Sequence, residues 1–285
     1  MGNRIVHPPA ERSLLFIGDT HIGDNPSNRW TKMADAILAD SFTPAGIVHI
    51  GDLTDQSDAP SVALAKTWWA RFPEPKCLTV GDHDQLNGVT STDWEDAYGT
   101  TVFKTVDFGF AAVITTYYLW TTTIRDAVIA AAAAIAPKPV FLCHHRPLRD
   151  TTGAGTAPHD NLSASAPSYT YAMGSTEDGY VRAAVDASPN IVGVFAGHTH
   201  AWLDDPGAAT LVDMGTRQVP YFNCSSITYV GGTKQFFSDP LVGLVVTLLP
   251  DDQTIELRYR DYGAGGLYTF WDSARGRVTT LKATP

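Results

Sequence analysis

The sequence predicts an α/β protein, and two features carry that prediction. Short apolar runs alternate with amphipathic stretches along most of the chain, and five of these runs end at once in a cluster of Gly, Asp or His. Continuous apolar runs of this length mark strands buried on both faces, as in a sheet covered by helices. In such folds the functional loops sit at the carboxyl ends of the strands.

The elements follow in order. Leu14-Leu-Phe-Ile17 reads as a strand running into Gly18-Asp-Thr-His21. Trp30, Met33, Ala34, Ile37 and Leu38 then recur at helical spacing, with Ser27 or Asn28 as the cap. Ile47-Val-His-Ile50 runs into Gly51-Asp-Leu-Thr-Asp55. Pro60 suits the first turn of a second helix that turns Val62, Ala65, Trp68, Trp69 and Phe72 inward. Cys77-Leu-Thr-Val80 runs into Gly81-Asp-His-Asp84, and a strand pair is expected from Phe103 to Thr116. An Ala-rich helix from Ile124 to Ala136 stops at Pro137, and Val140-Phe-Leu-Cys143 runs into His144-His-Arg-Pro147.

Residues 150–178, rich in Thr, Gly, Ala, Ser and Tyr, show no clean period. That is long for a passive connection and marks a lid or a mobile insertion. A helix around Tyr180 to Ala187 stops before Pro189, and Ile191-Val-Gly-Val-Phe195 leads to Gly197-His-Thr-His200. Further strand pairs are expected from Val219 to Leu257, the last turning at Asp251-Asp252, so that C-terminal strands occupy about 219–260. No repeat or linker divides the chain, and a single domain over 1–285 is expected.

Composition narrows the function. A content of 44% hydrophobic and 18% charged residues describes a globular chain with a sizeable core. The formal net charge of -10 counts against a broad nucleic-acid or anionic-membrane surface, while leaving room for a local phosphate site. Cys77, Cys143 and Cys224 are scattered, which excludes a zinc ribbon or a disulfide framework. The first nine residues lack the apolar stretch of a signal peptide, and no window is long enough for a membrane helix. A cytoplasmic location is therefore expected, although an exported chain with its leader removed would read the same. The sequence holds no GxSxG elbow, no P-loop and no HExxH.

The strand ends deliver Asp19, His21, Asp52, Asp82, His83, His144, His198 and His200. Imidazole and carboxylate donors without thiolates suit the transition metals manganese, iron, cobalt, nickel and zinc. Asp19-Thr-His21 and His198-Thr-His200 are spaced by two, so in extended backbone each pair shares a face and suits one metal or two neighbouring ones. Gly18, Gly51, Gly81 and Gly197 allow sharp turns and close backbone approach. Any one of these motifs alone is an ordinary surface loop or a packed core histidine. In this order, each behind a buried strand, together they describe a site.

The series Asp-x-His, Gly-Asp-x-x-Asp, Gly-Asp-His-Asp, His-His-x-Pro and Gly-His-x-His resembles that of the calcineurin-like metallophosphoesterases, from about Leu14 to His200. The resemblance implies a four-layer α/β/β/α sandwich of two mixed sheets flanked by helices, with a dinuclear metal centre. It implies that Asp19, His21 and His200 hold one metal, that Asp82, His144 and His198 belong to the other, and that Asp52 bridges both. It places the catalytic histidine at His83, with Asp84 to orient it. The family has Asn where this chain has Asp82, and the extra charge would hold the second metal more tightly and repel an anionic substrate. In such a centre two divalent or trivalent ions lower the pKa of a bridging water, giving hydroxide at neutral pH, and neutralise the phosphoryl oxygens. His83 would stabilise developing charge or protonate the leaving oxygen. The HHxP and GHxH forms are closer to cyclic-nucleotide and glycerophosphodiester phosphodiesterases than to protein phosphatases. Small phosphodiesters are therefore expected ahead of monoesters, with a phosphomonoesterase or a catalytically weak metal-binding scaffold as alternatives. No nucleic-acid or membrane partner is expected, and the sequence leaves the oligomeric state open.

Other residues admit two readings each. His145 is either the second member of a functional pair or a packed residue. Arg146 and Arg149 either meet a substrate anion or lie at the surface, and His49 is either core or a support behind the ligands. His159, Tyr169, Tyr171 and Met173 either line a pocket or sit in a solvated loop. Cys143 is expected to point into the core.

Overall fold

Among the described residues, thirteen strands in two sheets account for the apolar runs. The computed structural model describes residues 8–23, 29–99, 101, 103–148, 173–198, 209–224, 242–262, 269–270 and 278–284. Its strands are β1 (Ser13–Ile17), β2 (Gly46–His49), β3 (Lys76–Leu78), β4 (Lys104–Asp107), β5 (Ala112–Thr115), β6 (Val140–Cys143), β7 (Ile191–Ala196), β8 (Ala209–Asp213), β9 (Gln218–Asn223), β10 (Val242–Leu248), β11 (Thr254–Asp261), β12 (Thr269–Phe270) and β13 (Val278–Lys282). The helices are α1 (Arg29–Ala39), α2 (Ala59–Ala70), α3 (Ser91–Tyr98), α4 (Thr122–Ile135) and α5 (Ser175–Asp186). The first sheet runs β12-β11-β10-β1-β2-β3, with β13 also paired to β11, and the second runs β4-β5-β6-β7-β9-β8. Both are mixed: β1-β2-β3 and β5-β6-β7-β9 are parallel, and the remaining pairs are antiparallel.

The strands alternate between two apolar environments, and this builds the four layers. Leu14 and Phe16 of β1 join Val48, Phe141, Phe195, Phe222 and Leu244 in a core between the sheets. Leu15 and Ile17, one residue out of step, face Met33, Ile37, Trp68 and Trp69 of α1 and α2. On the second sheet Leu142, Val194 and Tyr221 face α4 and α5 through Val128, Ala132, Val181 and Val185. Each buried Leu, Val or Phe contributes about 1.5–3 kcal/mol, so a run apolar at every position is what a strand covered on both sides requires. Cys143 lies in the core between the sheets, as expected.

Local signals explain the helices. Asp58 caps α2, its carboxylate accepting the Ser61 N–H at 2.8 Å, with Pro60 in the first turn. The capping of α1 by Ser27 or Asn28 lies outside the described residues. α3, which hydrophobic periodicity does not announce, is nucleated by a capping box in which Thr90 and Asp93 satisfy each other's backbone N–H groups.

Two expectations are revised. The run from Val219 to Leu257 is not a set of paired neighbours. β10 and β11 form the hairpin that turns at Asp251-Asp252, but β9 lies in the other sheet, parallel to β7 and antiparallel to β8. Both β9 and β10 are apolar on both faces, so nothing in their pattern distinguishes one sheet from the other. The expected 150–178 insertion also ends earlier, because α5 begins at Ser175, where Glu177 accepts the Gly174 N–H. Met173 packs in the core beneath the second sheet, and residues 149–172 lie outside the described ones. Among the described residues no helix is long and apolar enough to cross a membrane.

Candidate metal centre

Each parallel strand bordering the gap between the sheets releases its polar cluster at its carboxyl end: Asp19 and His21 after β1, Asp52 after β2, Asp82 and His83 after β3, His144 and His145 after β6, and His198 after β7. The backbone there is strained in a way the strand interiors are not. Asp19, His21, Asp52 and His198 have φ of 48°, 46°, 51° and 71°, in the left-handed region. L-residues adopt that region at a cost of order 1–3 kcal/mol each, and such strain persists where surrounding structure over-determines it. The surroundings here are hydrogen bonds between the first two loops: the N–H groups of Asp19, His21 and Ile22 donate to the carbonyls of Gly51, Asp52 and Leu53, each at 3.0 Å.

Two groups of donors result, and they share one residue. Asp52, Asp82, His145 and His198 bring one donor atom each within 4.8 Å of one another, and so do His21, Asp52 and His83. In the first group His145 Nε2 lies 3.1 Å from both Asp52 Oδ2 and Asp82 Oδ1, and His198 Nδ1 lies 3.0 Å from Asp82 Oδ1. In the second, His21 Nε2 is 3.8 Å from Asp52 Oδ2. Glycine makes this approach possible. A Cβ on Gly81 would meet Asp52 Oδ1 at 2.1 Å, and one on Gly51 would meet His145 Nδ1 at 2.5 Å.

Hydrogen bonds assign the histidine tautomers. His145 Nδ1 donates to the Ile50 carbonyl at 2.8 Å, which aims Nε2 at the carboxylates, where it would supply a lone pair once a metal ion displaces its proton. His83 Nδ1 likewise donates to the Asp55 carbonyl at 2.7 Å, with Asp55 Oδ1 at 3.7 Å. The His83 side chain remains 35% exposed, the most open of the histidines in the two groups.

The charges are set against one another. Asp19 and Asp52 are buried and Asp82 is partly so, an arrangement that requires cationic company. Burial opposes charge on His145, yet Asp52 and Asp82 raise its pKa well above the ordinary histidine value. Burial likewise works against charge on Asp52 and Asp82, and His145 reverses it, so both carboxyls stay below the usual range. Asp84 is pushed up to about 6, first by burial and then by the Asp52 charge. Burial lowers His49 and His144 to about 3.

Most of the residues singled out in the sequence converge. Asp52, Asp82, His198, His21 and His83 stand in the two groups. Asp19 is a member of neither, but is buried against them, its Oδ1 accepting the His198 N–H at 2.9 Å. His200, Arg149, His159, Tyr169 and Tyr171 lie outside the described residues. Two placements differ from expectation. His144 turns away: its Nδ1 bonds the Arg146 carbonyl at 2.7 Å, its ring lies by Trp120 and Tyr221, and His145 faces the carboxylates. Adjacent residues in extended backbone point to opposite faces, and only the register of β6 decides which one faces the site. Asp84 does not face the His83 ring. It accepts N–H groups from Thr54 at 2.8 Å and Gly81 at 2.9 Å, which holds the loop rather than the imidazole. Asp55 does what Asp84 was expected to do, standing 3.2 Å from His21 Nδ1 and 3.7 Å from His83 Nδ1. The Gly-Asp-x-x-Asp spacing already contained it. Arg146 lies 3.8 Å from Glu177.

Comparison with known proteins agrees with this architecture. The calcineurin-like phosphoesterase family profile matches residues 12–202. No curated protein sequence matches the chain. Among solved structures, purple acid phosphatase PPD1 from yellow lupin (Lupinus luteus) superposes with a TM-score of 0.62 at 12% identity, over 95% of this chain and 53% of that one. A putative 5'-nucleotidase from Staphylococcus aureus gives 0.46 at 12%, over 95% and 54%. Vps29 from Chaetomium thermophilum gives 0.44 at 11%, over 96% and 97%. The chain thus spans about half the length of the phosphatase and of the nucleotidase, and the likeness to the phosphatase, at 12% identity, shows the fold alone.

Proposed function

The chain belongs to the calcineurin-like phosphoesterase family, and from that premise we propose that it hydrolyses phosphoesters with two transition-metal ions, phosphodiesters ahead of monoesters. The observation that carries this reading is the sharing of Asp52 by two groups of nitrogen and oxygen donors. The donor set fits such ions, being imidazole and carboxylate without thiolate, with three carboxylates crowded beyond what one imidazolium balances. Asp52, Asp82, His145 and His198 would hold one ion. His21 and Asp52 would hold the other, with Asp19 and His200 completing it as the family resemblance implies. Bound there, two such ions supply Lewis acidity and a lowered pKa for water.

The rest of the chemistry belongs to the chain. His83 is suited to proton work because its Nδ1 is committed to Asp55 while its side chain stays partly open to solvent. In its protonated form it can pass a proton from Nε2 to the departing oxygen, the Asp55 carboxylate standing beside the resulting change of charge. Asp52 Oδ1 accepts the His83 N–H at 3.0 Å, so the shared ligand also sets the position of the proton donor. Asp84 anchors the same loop to Thr54 and Gly81. Diesters rank first because the HHxP and GHxH forms resemble those of phosphodiesterases, and the negative charge of Asp82 disfavours dianionic monoesters more than monoanionic diesters.

Manganese-loaded protein assayed on bis(4-nitrophenyl) phosphate and on 4-nitrophenyl phosphate tests this. A higher kcat/KM on the diester is expected. The reverse order would make the enzyme a monoesterase, and two bound metals with neither substrate cleaved would make it a scaffold. The ligand set has its own test. His145→Ala is expected to weaken one metal site by about 100-fold or more, while His144→Ala keeps both metals. Metal content after desalting reads the difference, and the opposite pattern would restore His144 as the ligand.

A further inference from the structure

We infer that His49, a buried histidine of β2 outside both donor groups, is a positioning residue that locks the two loops of the metal centre together. The inference rests on the metal binding proposed above. Its two ring nitrogens reach two different loops. The Gly51 N–H donates to Nδ1 at 3.2 Å, immediately before Asp52. An imidazole nitrogen that accepts must carry its lone pair, so the neutral ring holds its proton on Nε2. That nitrogen bonds the Thr20 hydroxyl, and Thr20 stands between Asp19 and His21. One side chain therefore ties the backbone entering Asp52 to the residue flanked by the two candidate ligands of β1.

The arrangement is fixed from every side. His49 and Thr20 are both fully buried. The ring meets Trp68 and Trp69 of α2 edge-on, with centroids 6.1 and 6.0 Å away, so the indoles hold its plane. The residues it spans are the strained ones: Asp19, His21 and Asp52 all have left-handed φ, and Gly51 has φ of 90°. A strained loop relaxes when its anchor is lost, and three candidate ligands would shift with it. An apolar residue would fill the same space in β2, where Ile47 and Val48 already pack, but would supply neither bond.

The test reads metal affinity rather than turnover. Chelator-stripped parent, His49→Phe, Thr20→Val and the double variant are titrated with Co²⁺, and binding is followed by the visible absorption of the bound ion. His49→Phe keeps a planar ring and loses both bonds, and Thr20→Val removes only the hydroxyl partner. Each single variant is expected to bind Co²⁺ about 10–100-fold more weakly with an altered spectrum. The double variant should add little to His49→Phe, because the two act through one bond. His49→Gln, whose amide can reach Thr20, should recover part of the loss. Folded variants with parental affinity and spectrum, or losses that simply add, would overturn the inference. If His49→Phe fails to fold, Thr20→Val decides alone, parental binding refuting the lock. A parent that binds no metal would refute the functional reading itself and the inference with it.

Discussion

Replacing Asp52 by alanine is expected to empty both metal sites at once. Among the described residues it is the only one common to the two donor groups, and its side chain is buried at 2% exposure. The same carboxylate accepts the His83 N–H, so the change also releases the proton donor. Asp52→Asn is the informative partner, since it keeps volume and an acceptor oxygen while removing the charge. For Asp52→Ala, hydrolysis should fall by about 10³-fold or more, equivalent to the several kcal/mol that metal Lewis acidity supplies. Metal should also stop raising the melting temperature, whereas the parent gains about 2.7 kcal/mol at a metal concentration 100-fold above Kd. Asp52→Ala protein that retains two equivalents of metal and parental turnover would contradict the assignment.

His83→Ala should do the opposite: both metals stay and turnover goes. Positioned proton transfer contributes roughly 10²–10⁴-fold, and the loss should depend on the leaving group. A 4-nitrophenolate leaves readily without a proton, and an alkoxide does not. The variant should therefore lose far more activity on an alkyl phosphodiester than on the nitrophenyl one. An equal loss on both would assign His83 to charge stabilisation or metal binding, and no loss would remove it from the chemistry.

The sequence revealed the strands and the families of residues at their ends because burial on both faces writes itself as unbroken apolar runs. Leu14 to Ile17 and Val140 to Cys143 are examples. What it could not supply was register. His144 and His145 are identical residues one position apart, and only the pairing of β6 with β5 and β7 turns one to Trp120 and the other to Asp52. Asp55 stands where Asp84 was expected for a similar reason. Their loops lie side by side only once β2 and β3 are paired, and nothing local tells which carboxylate reaches the ring. The membership of β9 in the second sheet was hidden because its apolar pattern matches that of β10. The capping box of α3 was readable in Thr90 and Asp93, but its hydrophobic stripe is too short to direct attention there.

The central claim is that two transition-metal ions gather around Asp52 and that hydrolysis depends on both. Titrating chelator-stripped protein with Mn²⁺, and following bound metal and diester cleavage together, tests it most directly. Cleavage should be absent without metal, and should reach its plateau only as the second equivalent binds. Full cleavage in stripped protein, or a plateau with a single equivalent bound, would contradict it.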